Sequence, residues 1–214
     1  MCILSELING WYCAPYPLAY NSLTQDEKRH NANLAMSFLR QNGFTIYAAS
    51  GMVGNIWAES QMNPSTWEVI NNVPAVYSGG YGLVQWTPYT NYSQWAETDH
   101  PDEEWENNGP LEMQRILYER QHGLEFYPSS AYPQWRWSNF SELEPSEGET
   151  INEAINKATD IFLRNYLRPS NPDATLANRQ YLARWVYQNA PGTVLNKWLL
   201  LYWSNRNKKR GWIT

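Results

Sequence analysis

The strongest constraint in this chain is a proline. Pro64 follows closely on Glu59 in the run Gly54-Asn55-Ile56-Trp57-Ala58-Glu59-Ser60-Gln61-Met62-Asn63-Pro64. Upstream, Ile46, Ala49, Met52, Val53 and Ile56 recur at three- and four-residue intervals, the period of a helix that buries one face. Glu59 continues that apolar stripe. Because the residue before a proline avoids the helical region, the helix is expected to stop at Gln61 or Met62, which leaves Glu59 in its last turn. Desolvation there and the negative end of the helix dipole both disfavour a charged carboxylate. They point to a raised pKa and to an acid able to protonate a glycosidic oxygen. On periodicity alone, a helix-end carboxylate can equally be the partner of an Arg or Lys. If it is unpaired, replacing it by Gln is expected to be neutral or stabilising near neutral pH.

The segment Tyr77-Ser78-Gly79-Gly80-Tyr81-Gly82-Leu83-Val84-Gln85-Trp86-Thr87 reads as a glycine turn followed by an extended run, the pattern of a hairpin. Two-residue alternation would put Tyr81, Leu83 and Gln85 on one face and Val84 and Trp86 on the other. Glycines at 79, 80 and 82 allow close approach to the backbone, and aromatic rings stack on pyranose faces. Tyr81, Gly82, Leu83, Gln85, Trp86 and the upstream Trp67 are therefore candidate contacts for a sugar chain. Glu68 is the only acid between Glu59 and Glu97, and so the candidate second carboxylate. A site with one acid has other routes: a water held by Gln85, or intramolecular transglycosylation.

Three stretches carry a family resemblance: Gly51-Met-Val-Gly-Asn-Ile-Trp-Ala-Glu59-Ser60 with Asn63-Pro64, then Gly80-Tyr-Gly-Leu-Val-Gln-Trp-Thr-Pro88, then Arg115-Ile-Leu-Tyr-Glu-Arg120 with Ile161-Phe-Leu-Arg-Asn-Tyr166. They resemble the phage tail lysozyme family, including the lysozyme domain of tail-knob proteins, over about residues 25 to 190. The resemblance implies a predominantly helical α+β, lysozyme-like fold with a small β-hairpin beside the catalytic helix. It also implies bacterial peptidoglycan as substrate, Glu59 as the catalytic acid, and a place in the virion tail, with other tail proteins as partners. The activity implied is a muramidase. A lytic transglycosylase using the same Glu59 and a silent wall-binding tail component are the alternatives.

Composition agrees with this reading. A chain of 214 residues fits one domain with a sizeable core and appendages. Its 12 Trp and 15 Tyr exceed what a core needs, which leaves aromatic surface for carbohydrate. A net charge of −5 argues against broad nucleic-acid binding. The apolar run Trp198 to Trp203 is too short to cross a bilayer. His100 has no companion ligand at metal spacing, so no metal and no cofactor is expected.

The remaining elements follow from local signals. Thr24-x-x-Glu27 is a capping box opening a helix that ends at Gln41-Asn42-Gly43, with Leu34, Ala35, Phe38 and Leu39 inward and His30 solvated. Thr45 caps the helix bearing Glu59, and Thr87-Pro88 is expected to start a short helix through Trp95. Residues 100–109 read as a solvated acidic loop. Pro110 to His122 is a helix closed by Gly123, with Met113, Ile116 and Leu117 inward. An irregular aromatic segment, Tyr132 to Phe140, is expected to pack over the helices, the alternative being that one of its Trp lines a sugar subsite. A helix from the Thr150-Glu153 box to Arg168 and another from Thr175 to Asn189 complete the set.

Three regions result: an arm (1–23), a lysozyme-like catalytic domain (24–190) and a tail (191–214) that carries +5 and leaves −10 on the rest. Met1 to Tyr20 lacks the positive start and apolar core of a secretion signal. Cys2 and Cys13 are expected to be free thiols.

Overall fold

The computed structural model describes residues 5–14, 22–70 and 73–192. In chain order the elements are strands β1 (Glu6–Ile8) and β2 (Trp11–Cys13), helices α1 (Gln25–Gln41) and α2 (Ile46–Ser60), and strands β3 (Val69–Ile70) and β4 (Val73–Pro74). There follow α3 (Thr90–Asp99), α4 (Gly109–His122), α5 (Trp137–Ser141), α6 (Ile151–Phe162), a π-helical turn (Leu163–Leu167) and α7 (Asp173–Asn189). The fold is predominantly helical α+β.

Helix α2 is the hub. Its sequence holds three Ala and two Gly with few polar side chains, and it is buried from Ala48 through Trp57, as a helix apolar on nearly all sides must be. It packs against α1, α6 and α7. Two glycines permit this: a Cβ on Gly51 would lie 2.8 Å from Ala158 of α6, and one on Gly54 would lie 2.6 Å from Ala183 of α7. Both neighbours approach to backbone contact.

Local signals set the helix ends. The Thr24–Glu27 and Thr150–Glu153 capping boxes open α1 and α6, and Thr45 caps α2 by accepting the Ala48 N–H. Gln61 closes α2 in the left-handed conformation, so Glu59 does sit in the last turn. Gly123, at φ +66°, closes α4.

Several expectations change. The segment 81–86 is a tight turn, not an extended alternating run: Tyr81 and Trp86 exchange both backbone hydrogen bonds, and 82–85 form the turn between them. Leu83 and Val84 are consequently both buried. Helix α3 begins at Thr90 and not at Pro88, because the Thr87 hydroxyl donates to the Gln85 carbonyl and caps nothing. In the acidic loop, His100 and Glu103 are paired at 3.4 Å and largely buried, so that loop is not wholly solvated. Trp137 and Phe140 of the aromatic segment pack with Phe126, Phe162 and Tyr166 in the core.

Residues 5–14, read in sequence as part of an arm, form an antiparallel hairpin whose Asn9-Gly10 turn has φ of +52° and +86°, the type I′ signature. Trp11 and Cys13 are buried in the core, and Asn31 bonds to both backbone groups of Tyr12. His30 is exposed, as expected, yet lies 2.9 Å from the Gly10 carbonyl. Cys13 is a free thiol that burial, with Glu112 adding to it, pushes up to about 12. Cys2 and the basic tail from residue 193 lie outside the described residues.

Candidate active site

Glu59 leaves the end of α2 partly exposed, at 21% of its side-chain surface, and its Oε1 lies 2.6 Å from the guanidinium of Arg179 on α7. Arg179 is buried at 7%, and the rest of its fork is satisfied: Nη1 donates to the Asn55 side chain at 3.2 Å and Nε to the Thr175 hydroxyl at 3.0 Å. Asn55 is itself locked across α2 and α6 by donating to the Gly51 and Thr159 carbonyls. The acid is therefore oriented by an arginine that is itself fixed by three helices. Sequence reasoning missed Arg179. It sits 120 positions from Glu59, and only its place on the inner face of a helix beside Ala183 and Val186 marks it.

Thr66 joins the end of α2 to the glycine-rich turn. Its hydroxyl donates to the carbonyl of Ser60, next to Glu59, and its own carbonyl accepts the N–H of Gly82 and the Nε2 of Gln85. Gln85, at φ +57°, also donates Nε2 to the Gly82 carbonyl, which leaves Oε1 to accept from a ligand or water. A single residue thus ties the turn bearing Gln85 to the end of the helix bearing Glu59.

The other candidates stand behind this surface. Tyr81, Leu83, Trp86 and Trp67 are all buried, and Gly82 is buried with them. Trp67 packs on Tyr77, Tyr81, Tyr89 and Trp105, with centroids from 4.5 to 6.4 Å apart. Tyr77 is the exposed end of this cluster, and its hydroxyl donates to Glu106 at 2.7 Å. Glu68 is half-buried, and its Oε2 accepts the Gly80 N–H at 2.9 Å.

Two acids unremarked in the sequence lie under the turn, on one face of α4. Glu112 Oε2 accepts the Leu83 N–H at 2.6 Å, and Glu119 Oε1 accepts the Trp86 Nε1–H at 2.9 Å. Both are fully buried. Glu119 also takes Arg115 Nε at 2.8 Å and the Tyr166 hydroxyl at 2.5 Å. Burial raises Glu119, with the Arg115 charge and these hydrogen bonds opposing it. Among the described residues no cation lies beside Glu112, and burial pushes it well above the usual carboxylate range against the Leu83 hydrogen bond. The signal was available: Glu112 and Glu119 fall on the stripe of Ile116, at helical spacing.

The chain matches the phage tail lysozyme family model over residues 30–190. It belongs to the phage tail lysozyme family. It is also 31% identical over 156 residues to "Morphogenesis protein 1" of Bacillus phage B103, a match covering 71% of this chain and 37% of that relative. The chain therefore corresponds to well under half of that protein's length. Membership supports a phage lysozyme-like function. Among the described residues, no three His, Cys, Asp or Glu side chains gather as metal ligands, and no helix is long and apolar enough to cross a membrane.

Proposed function

We propose that this chain is a peptidoglycan-cleaving N-acetylmuramidase, with Glu59 as general acid. The observation that carries the reading is the geometry at the end of α2: a solvent-reachable carboxyl oriented by buried Arg179 and tied through Thr66 to the Gln85 turn. Arg179 engages Oε1, so Oε2 is the oxygen from which the acid proton is delivered. That proton passes to the glycosidic oxygen after N-acetylmuramic acid as the C1–O bond breaks, its electron pair leaving with the oxygen. The oxocarbenium carbon that remains is attacked by water, and the water's proton returns to the Glu59 carboxylate. Gln85 Oε1 accepts a hydrogen bond from that water and holds it. Glu68, engaged by the Gly80 N–H, supports the turn and is not needed as a second acid. Tyr77, at the exposed end of the aromatic cluster, offers a ring face to a sugar.

The family and the phage relative support use at the tail, for local penetration of the wall at infection, with peptidoglycan as the partner. Mass spectrometry of digested peptidoglycan tests the reading. Reducing muramic ends are expected. If the products carry 1,6-anhydro ends, the muramic O6 and not water attacks C1 and the enzyme is a transglycosylase; intact glycan would remove the activity altogether.

A further inference from the structure

We propose that Glu112 and Glu119 of α4 are positioning residues that hold the Tyr81–Trp86 turn at Leu83 and at Trp86 and so set the position of Gln85. The inference rests on the reading of Glu59 and Gln85 given above. Neither acid touches substrate, since both are fully buried. Seven residues apart, they sit two helical turns and about 10.5 Å from one another along one face of α4. One receives the Leu83 N–H at 2.6 Å and the other the Trp86 indole N–H at 2.9 Å, so Gln85 lies between two fixed points.

The turn needs such fixing. Gln85 is a non-glycine residue in the left-handed region, at φ +57°, a conformation that persists when its surroundings over-determine it. Gly82, at φ +81°, is glycine because Glu112 presses on it: a Cβ there would meet Oε2 at 2.6 Å. The two anchors differ in kind. Glu119 is neutralised by Arg115 and braced by Tyr166, which the π-helical turn presents to it. Glu112 has only the Leu83 N–H, and its Oε1 has no hydrogen-bond partner among the described residues. An apolar side chain of similar size would remove the unpaired Oε1 but would leave the buried Leu83 N–H without its acceptor. The Leu83 contact is what a carboxyl adds. These anchors also account for the Arg115–Arg120 and Ile161–Tyr166 stretches, which Glu59 and Gln85 leave unexplained.

The test measures kcat and KM for cleavage of a soluble peptidoglycan glycan oligomer. Glu112→Leu removes the anchor while keeping the volume. It should lower kcat by roughly tenfold or more with KM changed by less than about threefold, because a displaced group costs rate before affinity. Glu112→Gln keeps an acceptor for Leu83 and should restore kcat to within about threefold of the parent. Since Glu112 acts through Gln85, the Gln85→Ala/Glu112→Leu pair should be no slower than Gln85→Ala alone. Full kcat in a folded Glu112→Leu protein, or losses that multiply in the double variant, would overturn the proposal. If Glu112→Leu does not fold, Trp86→Phe removes the indole N–H donated to Glu119 and is held to the same outcomes. Glu59→Gln separates the two readings. If it cleaves normally the mechanism fails, whereas if it is dead and Glu112→Leu is fully active only the positioning inference fails.

Discussion

Glu59 carries two opposed demands, and substitution separates them. Glu59→Gln is nearly isosteric but has no acid proton, so glycan cleavage should fall by about a hundredfold or more, as read by release of reducing ends. Its effect on stability is the reverse of what an unpaired acid would give. Arg179, buried at 7%, keeps a hydrogen-bond acceptor in the amide but loses its counter-charge, which should cost about 1–3 kcal/mol at neutral pH. A melting temperature equal to or above the parent's would mean that another group neutralises Arg179. Glu112 supplies the pH dependence. Burial raises it well above the usual range, so the folded chain holds its proton more tightly than the unfolded chain does. Its stabilising contribution is complete below the unfolded value of about 4.3 and is lost as pH rises through the folded one. Glu112→Gln does not titrate. Unfolding free energies measured from about pH 5 to about pH 9 should therefore shift in the variant's favour as pH rises, by at most about 1.4 kcal/mol per pH unit for one proton. Parallel curves would show that Glu112 ionises alike in both states.

Among the elements, α2 depends on close approach. Ala is the better helix former by about 1 kcal/mol, yet Gly54→Ala should be destabilising. Its Cβ would fall 2.6 Å from Cα, Cβ and N of Ala183, and only separation of α2 from α7 relieves that. We expect a net loss of about 1–3 kcal/mol in denaturant unfolding; unchanged stability would mean that α7 can move away at little cost. The same distinction between local and distant causes decides what could be read in sequence. The boxes at Thr24 and Thr150, the Thr45 cap and the stop after Glu59 depend on residues three or four positions apart, and all were legible. The 81–86 turn was not, because Thr66, Glu112 and Glu119 hold it from elsewhere in the chain. For the same reason Arg179 was invisible beside Glu59, and nothing in the apolar spacing of α6 announces the π-helical turn that carries Tyr166 to Glu119.

At the scale of the whole molecule, the two ends of the chain make opposite predictions. The family match begins at residue 30, but the hairpin at 5–14 is built into the fold. Trp11 lies against Gly109, and Asn63, just past the Glu59 helix, bonds to both backbone groups of Ala14. Removing residues 1–14 would expose the contacts of a buried Trp and leave Asn31 and Asn63 short of partners. That should cost at least about 3–5 kcal/mol and much of the activity. At the other end Ala190 is fully buried, Arg40 donates to the Pro191 carbonyl at 3.0 Å, and Gly192 packs against α1. A chain ending at Gly192 is therefore expected to unfold cooperatively and to cleave soluble glycan at the parent rate. What it should lose is attachment. Lys208, Lys209 and Arg210 lie in the segment removed, which carries +5 against −10 on the remainder. Binding to isolated walls, measured by co-sedimentation, should weaken at low salt. The deficit should close near 1 M salt, where the Debye length is about 3 Å. A deficit that persists at high salt would assign the attachment to the apolar run Trp198–Trp203, and an insoluble product would show that the fold itself requires residues beyond 192.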